Sequence, residues 1–239
     1  MIGLGTIINV LGIFAGGLLG LFCGKFMKQR YQDILTKSTG VCVIFIGVGG
    51  ALEKMMTINQ NQLNSGGTMM MIGSLAIGSV LGEFLNIDMR MAQFGEWLKI
   101  KTGNGKEQSF VEAFVTASLT VCVGAMAIIG AIQDGISGDY RILAAKAVLD
   151  LIIILVMTSS LGKGCIFAAI PVALLQGGVT VIARLVGPFM TEPSLSNLSL
   201  TGSILIFCVG INLIWKNTIK VANMLPSIII AIIWAFLSA

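Results

Sequence analysis

Histidine is absent from this chain of 239 residues, and only 11% of its residues are charged. Without an imidazole the chain has no side chain poised by nature near neutral pH. That excludes His-based acid–base catalysis and the common His-containing zinc sites. Cys23, Cys42, Cys122, Cys165 and Cys208 are scattered through apolar stretches with no CxxC pair. They read as small packing residues, and no cofactor or metal site is implied. No HExxH-like motif or nucleophile–base set is present, so the chain reads as no enzyme. No basic block suited to nucleic acid is present either.

The shortage of charge carries the fold class. Soluble domains hold roughly 25% charged residues, whereas this chain is 56% hydrophobic with a mean hydropathy of +0.95 and 30 glycines. Spanning helices need about 20 apolar residues. Such runs are expected at 5–24, 38–52, 68–85, 111–132, 142–161, 166–185, 200–215 and 224–238. The reading is all-α: a polytopic transmembrane bundle of about eight helices forming one integral membrane domain over 1–239. The first run has no positive segment before it and has Lys25, Lys28 and Arg30 after it, which suits a retained helix rather than a cleaved leader.

Basic residues test this count. Alternate loops collect Lys25, Lys28, Arg30 and Lys37, then Arg90, Lys99, Lys101 and Lys106, then Lys163, then Lys216 and Lys220. The other side receives Lys54, Arg141, Lys146 and Arg184. By the positive-inside rule the first set is cytoplasmic and both termini lie outside. Tyr31, Trp97, Tyr140, Trp215 and Trp234 fall near helix ends, as interfacial aromatics do. Between Glu83 and Glu112, Phe84, Ile87, Met91, Phe94, Trp97 and Leu98 recur at helical spacing. A cytoplasmic amphipathic connector is expected over 84–107, either a passive link or a coupling element.

Polar residues inside the apolar runs are the candidates for function, since they are costly in lipid and normally face a partner. Asp150 and Lys146 stand four apart on one helical face, as an ion pair or as a carboxylate that binds a cation or proton. Gln133, Asp134 and Asp139 lie within the glycine-punctuated run from Gly130 to Asp139. That segment is either an ordinary turn or an unwound stretch offering carbonyls to a cation or polar solute. Gln176 lies beside Gly177 and Gly178, five residues after Pro171. Asn9 and Asn212 are amides in the first and seventh runs. Each is either a cross-helix bond or part of a polar cavity, to which Thr116, Ser118, Thr120, Thr158, Ser159 and Ser160 would add hydroxyls. Gly12, Gly16, Gly20 and Gly24 recur every fourth residue and mark a close-packed helix face.

A faint duplication runs through the chain. Ala15-Gly16-Gly17 resembles Gln176-Gly177-Gly178, Leu35-Thr36-Lys37-Ser38 resembles Leu200-Thr201-Gly202-Ser203, and Met71 and Ser74 match Met224 and Ser227. Runs one to three would then recur, inverted, as runs six to eight, an arrangement typical of secondary transporters.

The run from Cys122 to Gly135 (CVGAMAIIGAIQDG), followed by Gly138-Asp139, resembles a family of bacterial membrane proteins. It is catalogued as domain of unknown function 554 (YqgA/YdfK-type). The likeness extends to Lys146, Asp150, Ser160-Leu161-Gly162, Gln176-Gly177, the opening Gly5-Thr6-Ile7-Ile8-Asn9 and the segment Val221-Ala222-Asn223-Met224-Leu225-Pro226. The resemblance implies a multi-pass protein of the bacterial cytoplasmic membrane, and names no substrate. Together with the inverted repeat, the expectation is a secondary transporter of a small solute or ion, its partners the lipid bilayer, that solute and further copies in a homo-oligomer. A channel, or a membrane sensor or scaffold, is the alternative.

Overall fold

The computed structural model describes residues 2–59, 62–122, 125–187, 190–215 and 218–237. Val123, Gly124, Lys216 and Ser238, which entered the sequence reading, lie outside the described residues. The elements are α1 (Leu4–Lys25), α2 (Gln29–Met55), β1 (Met56–Asn59), β2 (Gln62–Ser65), α3 (Thr68–Leu85) and α4 (Ile87–Lys101). They continue with α5 (Phe110–Cys122), α6 (Ala125–Ser137), α7 (Arg141–Leu161), a 3-10 turn (Lys163–Ala168) and α8 (Ala169–Val181). The short α9 (Ala183–Val186), α10 (Glu192–Ile214), a second 3-10 turn (Val221–Met224) and α11 (Pro226–Leu237) complete the chain.

Six of the described helical segments are long and apolar enough to cross a membrane: Leu4–Lys25, Arg30–Met55, Thr68–Leu85, Arg141–Leu161, Lys163–Val181 and Glu192–Ile214. The run expected at 111–132 is instead two helices, α5 and α6, whose axes differ by 61°; taken as one bent span they make a seventh. The eighth expected span is apolar but short, over Val221–Leu237. The architecture is therefore helical with six or seven spans, where the sequence suggested eight.

Local chemistry explains the boundaries. α2 begins nine residues before the expected 38, because no Gly or Pro interrupts residues 29–39 and nothing there stops a helix. α10 likewise starts early. The Thr191 side chain accepts from Ser194 N at 3.4 Å, Glu192 occupies the first turn and Pro193 sits where its missing N–H is harmless. Asn86 (φ 55°) ends α3 in the left-handed region and opens α4 at once, a conformation its short side chain tolerates. The antiparallel β1–β2 pair, with Met56 opposite Ser65, was not expected. Its strands are four residues each, too short to show an alternating pattern.

Three close contacts organise the bundle around glycine, α1 on α7 in parallel, and α2 on α10 and α3 on α11 antiparallel. Along α1, a Cβ on Gly12 would lie 2.9 Å from the Ala147 carbonyl and one on Gly24 3.0 Å from the Ser159 carbonyl. Between them Gly16 and Gly20 meet the carbonyls of Leu151 and Leu155. Both partners step by four, so α1 and α7 run backbone against backbone. Gly40, Gly47 and Gly210 do the same for α2 and α10, against Gly210, Ser203 and Gly40 respectively. Gly78 and Gly82 seat α3 on Ser227 and Asn223. Small residues permit this approach, and in lipid it supplies the dispersion energy that apolar burial supplies in water. Ile13, Val43, Ala117, Val121, Ile154, Met157, Val172 and Leu213 fill the centre between these pairs.

Inside the segment expected as an amphipathic connector, α4 turns Gly95 and Leu98 onto α5, where Phe94 and Phe114 rings lie 5.8 Å apart. Asn223 ties its start down. The amide accepts from Asp88 N at 2.7 Å and donates to Glu83 Oε2 at 2.6 Å.

Candidate functional site

The close α1–α7 contact has a chemical consequence: it brings polar residues of three helices together, between the second turn and the middle of α1 and α7. On α7, Lys146 and Asp150 are 7% and 3% exposed. The Lys146 ammonium donates to both Asp150 oxygens, at 2.7 and 2.6 Å, and to the Val121 carbonyl at 2.8 Å. An ammonium has three donors, and here all three are used inside the bundle. Lys146 stands near the start of α7, yet its side chain turns inward.

Asn9 of α1 and Gln176 of α8 lie alongside. Asn9 is 0% and Gln176 1% exposed, and Asn9 Nδ2 donates to Gln176 Oε1 at 3.1 Å. The Asn9 side chain also acts on the Asp150 carboxylate. An ionised carboxylate only accepts, which sets Asn9 with its nitrogen toward Asp150. Asn9 Oδ1 and Gln176 Nε2 then make no hydrogen bond within the protein. One acceptor and one donor thus stand unmatched beside a buried ion pair, each at a cost of roughly 1–3 kcal/mol. One turn further out, Thr6 Oγ1 and Thr180 Oγ1 approach to 3.5 Å.

Other expected residues do not join this cluster. The Asp134 carboxylate, fully buried, accepts from Gly3 N at 3.1 Å and Gly5 N at 3.0 Å. It caps the first amides of α1 from another helix, where an anion is favoured by unpaired N–H groups and the helix dipole. Gln133, its neighbour, points the other way because adjacent helical residues diverge by about 100°. It is exposed and borders a shallow apolar groove with Ile129, Ile132, Ile136 and Met190. Asn212 is a loop staple: it donates to the Ile219 carbonyl at 2.6 Å and accepts from Ile219 N at 2.9 Å. Residues 130–137 stay helical, with Gly135 packed on the Thr180 carbonyl and the turn delayed to Gly138 (φ 70°). α8 likewise runs unbroken through Gly177 and Gly178, with Pro171 tolerated in its first turn.

One feature escaped the sequence reading. At the end of the bundle where α1, α7 and α10 finish and α2 and α5 begin lies a cavity of about 860 Å³. Its walls include Lys25, Asp33, Lys37, Glu107, Glu112 and the run Thr158-Ser159-Ser160. That hydroxyl run was the available signal. The cavity and the buried pair share one stripe of α7, since Lys146, Asp150, Ile154 and Thr158 recur every fourth residue. Thr158 lies two turns, about 12 Å, beyond Asp150, and fully buried Ile154 stands between them.

A family profile described as "Protein of unknown function (DUF554)" matches residues 4–236. The chain belongs to the DUF554 family. The "Uncharacterized membrane protein YdfK" of Bacillus subtilis (strain 168) is similar at 29% identity over 226 residues, 95% of this chain and 93% of that one. The "Uncharacterized protein YqgA" of Escherichia coli (strain K12) is similar at 23% over 232 residues, 95% of this chain and 94% of that one. No solved structure matches. The resemblance seen in the sequence is thus to the family the chain does belong to, and this DUF554 protein is a multi-pass membrane protein.

Proposed function

We propose that this DUF554 protein is a small secondary transporter that binds a solute or ion at the Asn9–Lys146–Asp150–Gln176 cluster. The observation that carries the reading is the unmatched amide pair beside a buried ion pair, inside spanning helices and with Asp150 at the middle of α7. A purely structural cluster would gain by matching its last donor and acceptor, whereas a binding site keeps them for a ligand. The Ile154 layer supports a carrier over a channel. It interrupts the polar stripe of α7, so access to Asp150 from the cavity requires a conformational change. Access from the other end is stopped by Asp134 and the Thr6–Thr180 contact.

An inverted repeat fits the packing. Runs one and six meet as α1 and α8, through Asn9–Gln176 and Thr6–Thr180. Runs two and seven meet as α2 and α10, and three and eight as α3 and α11. Each helix packs antiparallel on its own equivalent, as a pseudo-two-fold axis in the membrane plane requires. With Lys25, Lys37, Lys106 and Lys163 at the cavity end, that end faces the cytoplasm and both termini face outward.

The test uses the full chain in vesicles, with a solute first found by thermal-shift screening of ions and metabolites. Asp150→Asn is expected to abolish saturable counterflow while the protein still melts cooperatively. Should the single variant leave Lys146 uncompensated and unfold, Lys146→Met/Asp150→Asn removes both charges and carries the same expectation. Unchanged counterflow in a folded variant overturns the reading.

A further inference from the structure

The cavity at the Lys25 end has two walls of opposite character. Lys25 and Lys37 stand on the α1–α2 side, and Glu107 and Glu112 on the α5 side. Among the described residues, no ion pair joins Lys25, Lys37 or Lys163 to Glu107 or Glu112. The charges face a common space without neutralising one another. Lys163 lines it as well, and so does Asp33 of α2, which has a partner of its own. Charges of both signs thus line the cavity, and a lone cation or a lone anion meets repulsion as well as attraction.

The neutral groups sharpen the division. Ser109 Oγ donates to the Leu161 carbonyl at 3.2 Å, Ser159 Oγ to Val156 at 2.7 Å and Ser160 Oγ to Val156 at 3.1 Å. Each hydroxyl has one proton and has committed it to backbone, so it meets the cavity as an acceptor. The buried Glu107 Oε2 makes no hydrogen bond, and its partner Oε1 accepts from Lys163 N at 3.4 Å. The last carbonyls of α7 add the negative end of a helix dipole. The α5–α7 wall is thus anionic and rich in acceptors, and suits an ammonium. The α1–α2 wall offers two ammonium groups and suits a carboxylate. A volume of about 860 Å³ far exceeds what an ion needs and lies in the range of small-molecule sites.

We infer that this cavity binds a small zwitterionic solute of the free amino acid or short peptide class. The solute's ammonium lies on the α5–α7 wall and its carboxylate on the lysine wall. The inference names a substrate class for the carrier and rests on that reading only for transport; the binding itself does not depend on it.

The experiment is thermal unfolding of the full chain in nanodiscs, titrated with the neutral L-amino acids one at a time and with alanyl-alanine. At least one is expected to raise Tm saturably. Ethylammonium and propionate, which carry the two charges on separate molecules, are expected to leave it unchanged singly or mixed. Lys37→Gln and Glu112→Gln each weaken the effect by about tenfold or more, the equivalent of one lost charge-assisted contact. The exposed Lys101→Gln on α4 changes nothing. If either charge variant does not fold, Ser160→Leu, which fills the wall and keeps every charge, is expected to abolish the shift. Absence of any shift, an equal shift from the separate ions, or full binding in the folded variants overturns the inference. Zwitterion binding without uptake removes the carrier and leaves this site; Asp150-dependent counterflow without zwitterion binding does the reverse.

Discussion

At one end of α1 the first amides close over the Asp134 carboxylate; at the other, its last turn opens onto a cavity of about 860 Å³. Both ends present the chain with the same difficulty, a set of helix termini whose backbone groups have no partner within the helix. At the Asp134 end a buried side chain from α6 supplies the partner, and Thr6, Thr180 and Gly135 bring α1, α6 and α8 into contact above the central cluster. At the cavity end the hydroxyls of Ser159, Ser160 and Ser109 satisfy carbonyls of α7 and turn their remaining lone pairs outward. The first arrangement shuts solvent out and the second admits it. The difference teaches which way the molecule is open: the central ion pair is nearer to access from the Lys25 end, with Ile154 as the remaining barrier.

The sharpest way to break this comparison is to measure reach. In a background lacking the five native cysteines, Ser160→Cys is expected to react with a small polar thiol reagent far faster than Thr6→Cys. A sealing free energy of only about 1.4 kcal/mol gives a tenfold contrast. Equal rates would mean that the two ends do not differ. A smaller effect is expected from Asp134→Ala. It strips the buried Gly5 amide and the half-buried Gly3 amide of their acceptor, at a cost of about 1–3 kcal/mol in stability, and speeds labelling at Thr6→Cys without changing Ser160→Cys. Chemical denaturation and the same labelling assay check both halves.

The smallest effect concerns the turn beside the sealed end. Arg141 donates to Asp139 through Nε, at 2.9 and 3.1 Å, and through its backbone N–H at 3.1 Å. These bonds hold the Asp139 carboxyl well below its ordinary value, at about 2. A carboxylate whose pKa is depressed by folding stabilises the native state above its unfolded pKa, near 4, and loses that contribution as pH falls toward the folded value. The Tm difference between the wild type and Asp139→Asn is therefore expected to be constant above about pH 4 and to shrink between about pH 4 and pH 2. A difference that persists at the acid limit would assign the effect to shape and not to charge.

How much was legible in the sequence follows from the range of each interaction. Lys146 and Asp150 are four apart on one helix, so their pairing is written in the spacing. Gly12 to Gly24 announce a close face in the same way, although not that α7 fills it. Asn9 and Gln176 stand out because each is an amide in an apolar run, and lipid gives such groups reason to meet. Asp134 is different. Its partners are the backbone amides of Gly3 and Gly5, more than a hundred residues away, and an amide leaves no mark in the sequence. Asn212 looked like a site residue for the same reason in reverse, since its partner is the backbone of Ile219. The cavity was hidden because its wall is assembled from five helix ends, each of which alone reads as an ordinary interfacial loop. The β1–β2 pair was too brief to show a period.

The glycine contacts of α1 carry one more consequence. Gly12, Gly16, Gly20 and Gly24 meet Ala147, Leu151, Leu155 and Ser159 at a common step of four, so the interface is self-similar. If α1 slides along α7 by one turn, about 5.4 Å, three of the four contacts re-form with the neighbouring carbonyl. Packing alone sets the spacing of the notches but does not choose among them. The choice falls to interactions that occur once: Asp134 gripping Gly3 and Gly5, and Asn9 reaching Gln176. Those bonds act as the catch on a rack, and releasing them leaves α1 a ready-made alternative position at the cost of a single notch.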